Sequence, residues 1–106
     1  MNKDLSIGIL NATYGELLTQ HQREIIAQYY DYDLSLQEIA ENMQISRQAA
    51  LDAIKKGSDV LKNYESKLGL VKIKKIIDES VNDISDGKIE EAVKKLTTLF
   101  DEKTEN

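Results

Sequence analysis

The sequence predicts an all-α fold, with a helix-turn-helix followed by a C-terminal helical hairpin. Proline is absent and only five of the 106 residues are glycine, which favours long helices over a sandwich dense in turns. Apolar residues recur at helical spacing, and no segment alternates with period two for long enough to form a strand. A chain of this size is expected to form one compact unit. Within it we expect a helix-turn-helix domain over residues 1–69 and a helical extension over residues 70–106, packed on that domain or on a dimer mate.

The first two helices are indicated by apolar spacing and by one capping box. A short first helix is predicted to place Leu5, Ile9 and Leu10 on one face. The second helix begins at Thr19, because Gln22 follows three residues later and completes a capping box. Its apolar positions follow at helical spacing: Ile25, Ile26, Tyr29 and Tyr30.

Residues 35–55 have the layout of a helix-turn-helix. Ser35 begins the first helix of the motif with a second capping box. Ala40 is the small residue needed where two short helices cross steeply, and Gln44 takes the left-handed turn position that is often glycine. Ser46 is the expected N-cap of the second helix. The apolar residues expected to fill the wedge between the two helices are Ile39, Met43, Ile45, Ala50 and Ile54.

The second helix of the motif is long. Beginning at Arg47, it carries apolar or small residues at heptad-like intervals over roughly 33 Å. These positions are Ala50, Ile54, Gly57, Leu61, Tyr64 and Leu68. Gly57 would let another backbone approach closely, and Gly69 is the expected stop. Because the motif uses only about the first two turns, the rest of this seam needs cover, which within one chain is expected from the tail helices.

The last third is predicted to form a helical hairpin, with residues 85–87 as its turn. The apolar positions of its first helix are Leu70, Ile73, Ile77, Val81 and Ile84. Those of its second helix are Ile89, Ala92, Val93, Leu96, Leu99 and Phe100. Such narrow stripes suit helix–helix pairing and predict a homodimer through the tail or the long helix, with a closed monomer as the alternative.

A family resemblance covers essentially the whole chain. The stretches that carry it are residues 17–19, 22–23, 29–30, 34–41 and 45–49. The chain resembles region four of bacterial sigma factors and, within that superfamily, the YlxM family of small bacterial helix-turn-helix proteins. The resemblance implies a DNA-binding regulator. Because the gene of this family commonly lies beside that of the signal recognition particle GTPase, it also implies a link to protein targeting.

The candidate DNA contacts lie on the face of the long helix opposite its apolar seam. Arg47 could bind phosphate or guanine, Gln48 could pair with adenine, and Leu51 could touch a thymine methyl group. Lys55 and Lys56 would meet backbone phosphates.

The charge balance keeps a second function open. Asp52 lies one turn from Gln48 and disfavours the approach of phosphate, and the chain carries a net charge of −5. Only residues 35–69 are not net acidic, with five basic and five acidic groups. Two functions therefore remain: a DNA-binding regulator, or a protein-interaction adaptor that keeps the fold without sequence-specific DNA binding and contacts the protein-targeting machinery.

Other classes find no support in the sequence. The absence of cysteine excludes a disulfide framework, a cysteine zinc finger and a cysteine nucleophile, and it fits a reducing cytoplasm. His21 has no second ligand at helical spacing, and no phosphate-binding glycine loop or nucleophile elbow is present. We therefore expect no enzyme, cofactor or metal site. The apolar runs are too short to insert into a membrane, and the N-terminus does not resemble a secretory signal.

Overall fold

The computed structural model describes residues 3–100, which contain six α-helices, one short 3-10 turn and no strand. The all-α prediction is therefore confirmed. The helices are α1 (Ser6–Tyr14), α2 (Gln20–Tyr30), α3 (Leu36–Met43), α4 (Arg47–Leu68), α5 (Leu70–Ser85) and α6 (Ile89–Thr97). Gly69, the predicted stop of α4, has φ +64°. The chain divides into two compact units after Leu68; the packing expected for residues 70–106 stays a prediction.

The main core of the first unit lies where α2, α3 and α4 meet. Its fully buried centre comprises Ile25 from α2, Ile39 from α3 and Ala50 from α4, and Ile54 is almost as deeply buried. The partly buried apolar residues around it are Tyr29, Tyr30, Leu34, Leu36, Met43, Ile45 and Ala53. All five residues predicted to fill the wedge between the helices belong to this core.

The buried face of α1 differs from the predicted one. Leu5 and Ile9 are exposed, with 75% and 57% of their surface accessible. The buried positions follow a single helical stripe: Ile7, Leu10, Asn11 and Tyr14. At about 100° per residue, Leu5 and Ile9 lie nearly opposite the centre of this stripe, so neither could face the core with it. A polar residue within the stripe hid this pattern, since the Asn11 side chain is buried with its amide 3.5 Å from the carbonyl oxygen of Arg23.

The first helix also covers most of the part of α4 that the tail was expected to cover, although Leu68 stays 46% exposed. α1 packs along α4, and Leu61 is completely buried. The ring of Tyr14 stacks on that of Tyr64 with centroids 5.9 Å apart. The Tyr14 hydroxyl donates to Oε1 of Glu65 at 2.6 Å. The prediction that only the tail could cover this stretch within one chain is therefore wrong.

Gly57 lies at a close contact between α4 and α2. A Cβ atom at this position would lie 2.9 Å from Cδ1 and 3.2 Å from Cγ1 of Ile26, which is completely buried. Another helix does pack closely at Gly57, but the approaching group is a side chain, so the prediction of a backbone approach is wrong. The missing Cβ makes room for the isoleucine that joins the two helices.

The second unit is the predicted hairpin, in which α5 packs against α6. The turn between them contains Gly87, whose φ of +79° favours glycine. Small residues are buried in both helices, Ser80 in α5 and Ala92 in α6, which allows the backbones to approach closely. An ion pair of 2.7 Å joins Asp83 to Lys95 and holds the pKa of Lys95 above its ordinary value.

The contact at Gly57 predicts that the effect of Gly57→Ala on the free energy of unfolding changes sign when Ile26 is shortened to valine. Gly57→Ala gains about 1 kcal/mol of helix propensity, but overpacking of a buried site costs roughly 1–3 kcal/mol. We therefore expect the single variant to lower the free energy of unfolding by about 1 kcal/mol. In an Ile26→Val background, which lacks Cδ1, the same change should instead stabilise the protein. Urea denaturation followed by circular dichroism measures both effects, and identical effects in the two backgrounds would contradict the contact.

Candidate nucleic-acid interface

The helix-turn-helix begins at a reciprocally capped helix. The hydroxyl of Ser35 accepts a hydrogen bond from the backbone N–H of Glu38 at 3.1 Å. In return, Oε1 of Glu38 accepts from the backbone N–H of Ser35 at 2.9 Å. The predicted capping box is therefore confirmed, and it fixes where α3 starts.

The turn after α3 is set by one left-handed residue. Gln44 has φ 57° and ψ 46°, and its backbone N–H donates to the carbonyl oxygen of Glu41 at 3.4 Å. The N–H of Ile45 donates to the carbonyl oxygen of Ala40 at 3.0 Å. Together these bonds form a Schellman motif, which satisfies the last carbonyl groups of α3. The helix α3 therefore ends abruptly and the chain turns towards α4, while the side chain of Ile45 packs against the core.

The second helix of the motif is capped as predicted. The hydroxyl of Ser46 accepts from the backbone N–H of Ala49 at 3.0 Å, and its carbonyl oxygen accepts from the N–H of Ala50 at 3.0 Å. Since Ala50 is fully buried, this cap also sets the rotation of α4 about its own axis. The opposite side of its first three turns is left to solvent.

The five candidate DNA contacts lie on that solvent side. Arg47, Gln48, Lys55 and Lys56 are exposed, and Leu51 is half-buried. At about 100° per residue, Gln48, Leu51 and Lys55 form the centre of the exposed face. Arg47 and Lys56 lie about 90° to either side of that centre. The structure thus places a row of one amide, one apolar and one basic side chain between two further cations. That this row contacts DNA stays a prediction.

One carboxylate lies inside the same face. Nε2 of Gln48 donates to Oδ1 of Asp52 at 3.0 Å, and both side chains are exposed. The amide that would read an adenine is therefore already engaged within the helix. Reading a base would require Gln48 to leave Asp52, and the carboxylate would then lie close to the DNA.

An open cleft of about 490 Å³ adjoins the start of α4. It is lined by residues 34–38, Tyr29, Asp33, Lys3 and Arg47. The ammonium of Lys3 donates to the carbonyl oxygen of Tyr29 and to Oδ1 of Asp33, both at 2.7 Å. This hydrogen bond holds the pKa of Asp33 below its ordinary value. The cleft thus places a second cation near Arg47, but that cation is held by its own carboxylate.

Sequence reasoning missed Lys3 because its partner lies 30 residues away. The ammonium also lies 4.0 Å from the centroid of the Tyr29 ring, a cation–π contact. Neither apolar periodicity nor a capping signal reports such a pairing. The one sequence feature that could have indicated this ion pair is the position of Lys3 as an isolated basic residue at the start of a net acidic segment.

Two further observations concern other chemistry. Among residues 3–100, no three His, Cys, Asp or Glu side chains come close enough together to hold a metal ion. None of the helices in that range is both long and apolar enough to cross a membrane.

Comparison with known proteins gives a consistent family match. Residues 1–101 match the model of the UPF0122 family, described as helix-turn-helix proteins that are YlxM/p13-like. A UPF0122 protein of Clostridium kluyveri is 46% identical over 86 residues, which cover 81% of this chain and 78% of the relative. A Fusobacterium nucleatum relative is 35% identical over 96 residues, covering 91% and 93%. One from Clostridium novyi is 42% identical over 91 residues, covering 79% of each.

The left-handed turn predicts a stabilising substitution. We expect Gln44→Gly to raise the free energy of unfolding by about 0.5–1 kcal/mol, because a side chain with positive φ is strained and glycine is not. The matched control is Glu41→Gly, an exposed position inside α3, which should lower it by about 1 kcal/mol. Thermal and urea denaturation of both variants measure these changes. A loss of stability in Gln44→Gly equal to that of the control would contradict the turn geometry.

Proposed function

The chain belongs to the YlxM/p13-like family of helix-turn-helix proteins, and from this premise we propose that it is a DNA-binding regulatory protein acting in the cytoplasm. The first three turns of α4 would enter the major groove as the recognition helix. The proposal assigns the protein no catalytic role, cofactor or metal.

One observation carries this proposal: the exposed row of Gln48, Leu51 and Lys55 lies between Arg47 and Lys56. Within this row, Gln48 and Leu51 would present an amide and a methyl surface to base edges. Lys55 and the flanking Arg47 and Lys56 would reach backbone phosphates. A rigid helix supports all five residues, because its inner face is anchored by Ala50 and Ile54 in the core.

The small number of cations sets the expected strength of binding. Three phosphate contacts per copy would give a slope of about −3 for log K against log salt concentration. A chain with net charge −5 also repels DNA at long range. A two-fold dimer would double both the phosphate contacts and the slope, so we propose that the binding species is a homodimer reading two half-sites.

Removal of the arginine tests the proposal directly. The unaltered protein is first used to select a duplex from random DNA at low salt. Arg47→Ala should bind that duplex about tenfold or more weakly, since one arginine contact contributes roughly 1–3 kcal/mol. The salt slope should fall by about one for each copy bound. Fluorescence anisotropy at several salt concentrations measures both quantities.

The matched control removes a cation from the other end of the same helix. Lys67 lies in the last turn of α4, about 30 Å along the axis from Arg47. Lys67→Ala should leave both the affinity and the salt slope unchanged. Equal losses in the two variants would indicate nonspecific attraction, and the absence of any selected duplex would reject DNA binding.

The engaged amide favours a second candidate function. Because Asp52 holds Gln48 and adds a negative charge within the face, the same helices could serve a protein-interaction adaptor without sequence-specific DNA binding. We propose the signal recognition particle machinery as the source of its partner, on the family resemblance alone. If the partner binds mainly through apolar contacts, the affinity would change little with salt concentration.

A change of one side chain separates these two functions. Asp52→Asn keeps the shape of the side chain and removes its charge, so a helix that meets phosphate should bind DNA severalfold more tightly. Affinity for the selected duplex, measured as above, reports the effect. An unchanged or weakened affinity would show that this face does not approach phosphate, which would favour the adaptor.

A further inference from the structure

The hairpin formed by α5 and α6 exposes a large set of apolar side chains. Seven of them retain between 41% and 63% of their accessible surface. Those on α5 are Ile77, Val81 and Ile84, those on α6 are Ile89, Val93 and Leu96, and Phe100 lies in the turn that follows α6. We call these seven residues the hairpin face.

The two stripes lie on the same side of the hairpin. In α5 the stripe lies about a quarter turn from the buried Ser80, and in α6 the stripe lies about a quarter turn from the buried Ala92, in the same rotational sense. Two antiparallel helices with this arrangement present both stripes in one direction. The spacing of 4 and 3 from Ile89 to Val93 to Leu96 along α6 is that of a helix that packs against another helix.

The size of this face fits a stable dimer. Seven large apolar side chains, each about half exposed, present on the order of 600 Å² per copy, at the upper end of what ordinary monomers expose as one patch. Two copies placed face to face would remove on the order of 1,200 Å² from water, above the roughly 1,000 Å² expected of a specific interface. No charged side chain lies within the stripe of α6, which is typical of an interface centre.

The charges beside the stripe are self-complementary. The first turn of α6 carries Glu90 and Glu91, and its last turn carries Lys94 and Lys95. Glu90 and Lys94 are both exposed. Glu90 borders the stripe on the side away from α5, and Lys94 lies about 40° further round the helix. When two such helices cross antiparallel about a two-fold axis, the acidic turn of each meets the basic turn of the other. The face therefore carries the complement of its own charge pattern.

From these observations we propose that the hairpin face binds the same face of a second copy, so that two hairpins form a four-helix bundle. Antiparallel bundles with an apolar seam of this kind are a common solution for helices that expose one stripe. The inference deepens the proposed function, since it supplies the surface that would hold the two DNA-binding units together. It does not require DNA, and its test contains none.

Sedimentation of the full chain tests the proposal. The 12.0 kDa chain should sediment as a dimer of about 24 kDa at micromolar concentration. Val93→Glu, which places one carboxylate from each copy in the interface, should raise the dissociation constant roughly thirtyfold or more. The control Ile9→Glu changes an equally exposed apolar residue of α1 and should leave the dimer intact. Circular dichroism should show full helicity in both variants. A monomeric unaltered protein, or equal effects of the two variants, would overturn the proposal.

A mixing experiment tests the two-fold arrangement by changing charged residues only and leaving the apolar residues of the hairpin face unaltered. Glu90→Lys and Lys94→Glu should each weaken self-association, because each sets like charges opposite one another in a symmetric pair. An equimolar mixture of these two variants should recover association, since each chain then faces its complement. Recovery in the mixture supports the proposal, whereas single variants that still dimerise like the unaltered protein would overturn it. DNA affinity is measured separately, so failure of the dimer and failure of DNA binding remain distinguishable.

Discussion

The junction between α3 and α4 is the constraint on which the rest of the first unit depends. The Schellman motif at Gln44 ends α3 and directs Ile45 into the core. Ser46 then fixes the first turn of α4, and Ala50 and Ile54 become buried. Because the faces of a helix are linked by its fixed turn of about 100° per residue, burying these two positions determines which side chains face outward. The solvent side of α4 that carries the five candidate DNA contacts, which we call the candidate recognition face, is therefore determined by core packing and not by the polarity of its own residues.

The local parts of this architecture could be predicted from the sequence. Thr19, Ser35 and Ser46 begin helices through hydrogen bonds to residues three positions away, so a short window contains the whole signal. The left-handed conformation of Gln44 was expected from its place in the motif, although no glycine marks it. The wedge residues were also correct, because a motif with fixed spacing assigns them individually.

Contacts between distant segments could not be predicted in the same way. The stacking of Tyr14 on Tyr64 covers part of the second half of α4, and it joins positions 50 residues apart. The buried stripe of α1 includes Asn11, a polar residue that periodicity assigns to solvent. In the candidate site, the five residues were found from helical spacing, but the ion pair of Lys3 with Asp33 was not. Such pairings depend on how the elements meet, and a single sequence carries no direct record of that.

Charge connects the candidate recognition face with the hairpin face. The first three turns of α4 offer three cations, with Asp52 among them, and the rest of the chain is net acidic. Adding cations to that face would strengthen binding to every sequence alike, since phosphate contacts carry no base information. Pairing two copies doubles the phosphate contacts and also requires two half-sites at a fixed separation, which adds specificity. A weakly basic recognition helix is therefore compatible with selective binding when the second copy is supplied by an interface elsewhere in the chain. The hairpin face has the apolar area and the self-complementary charges that such an interface needs.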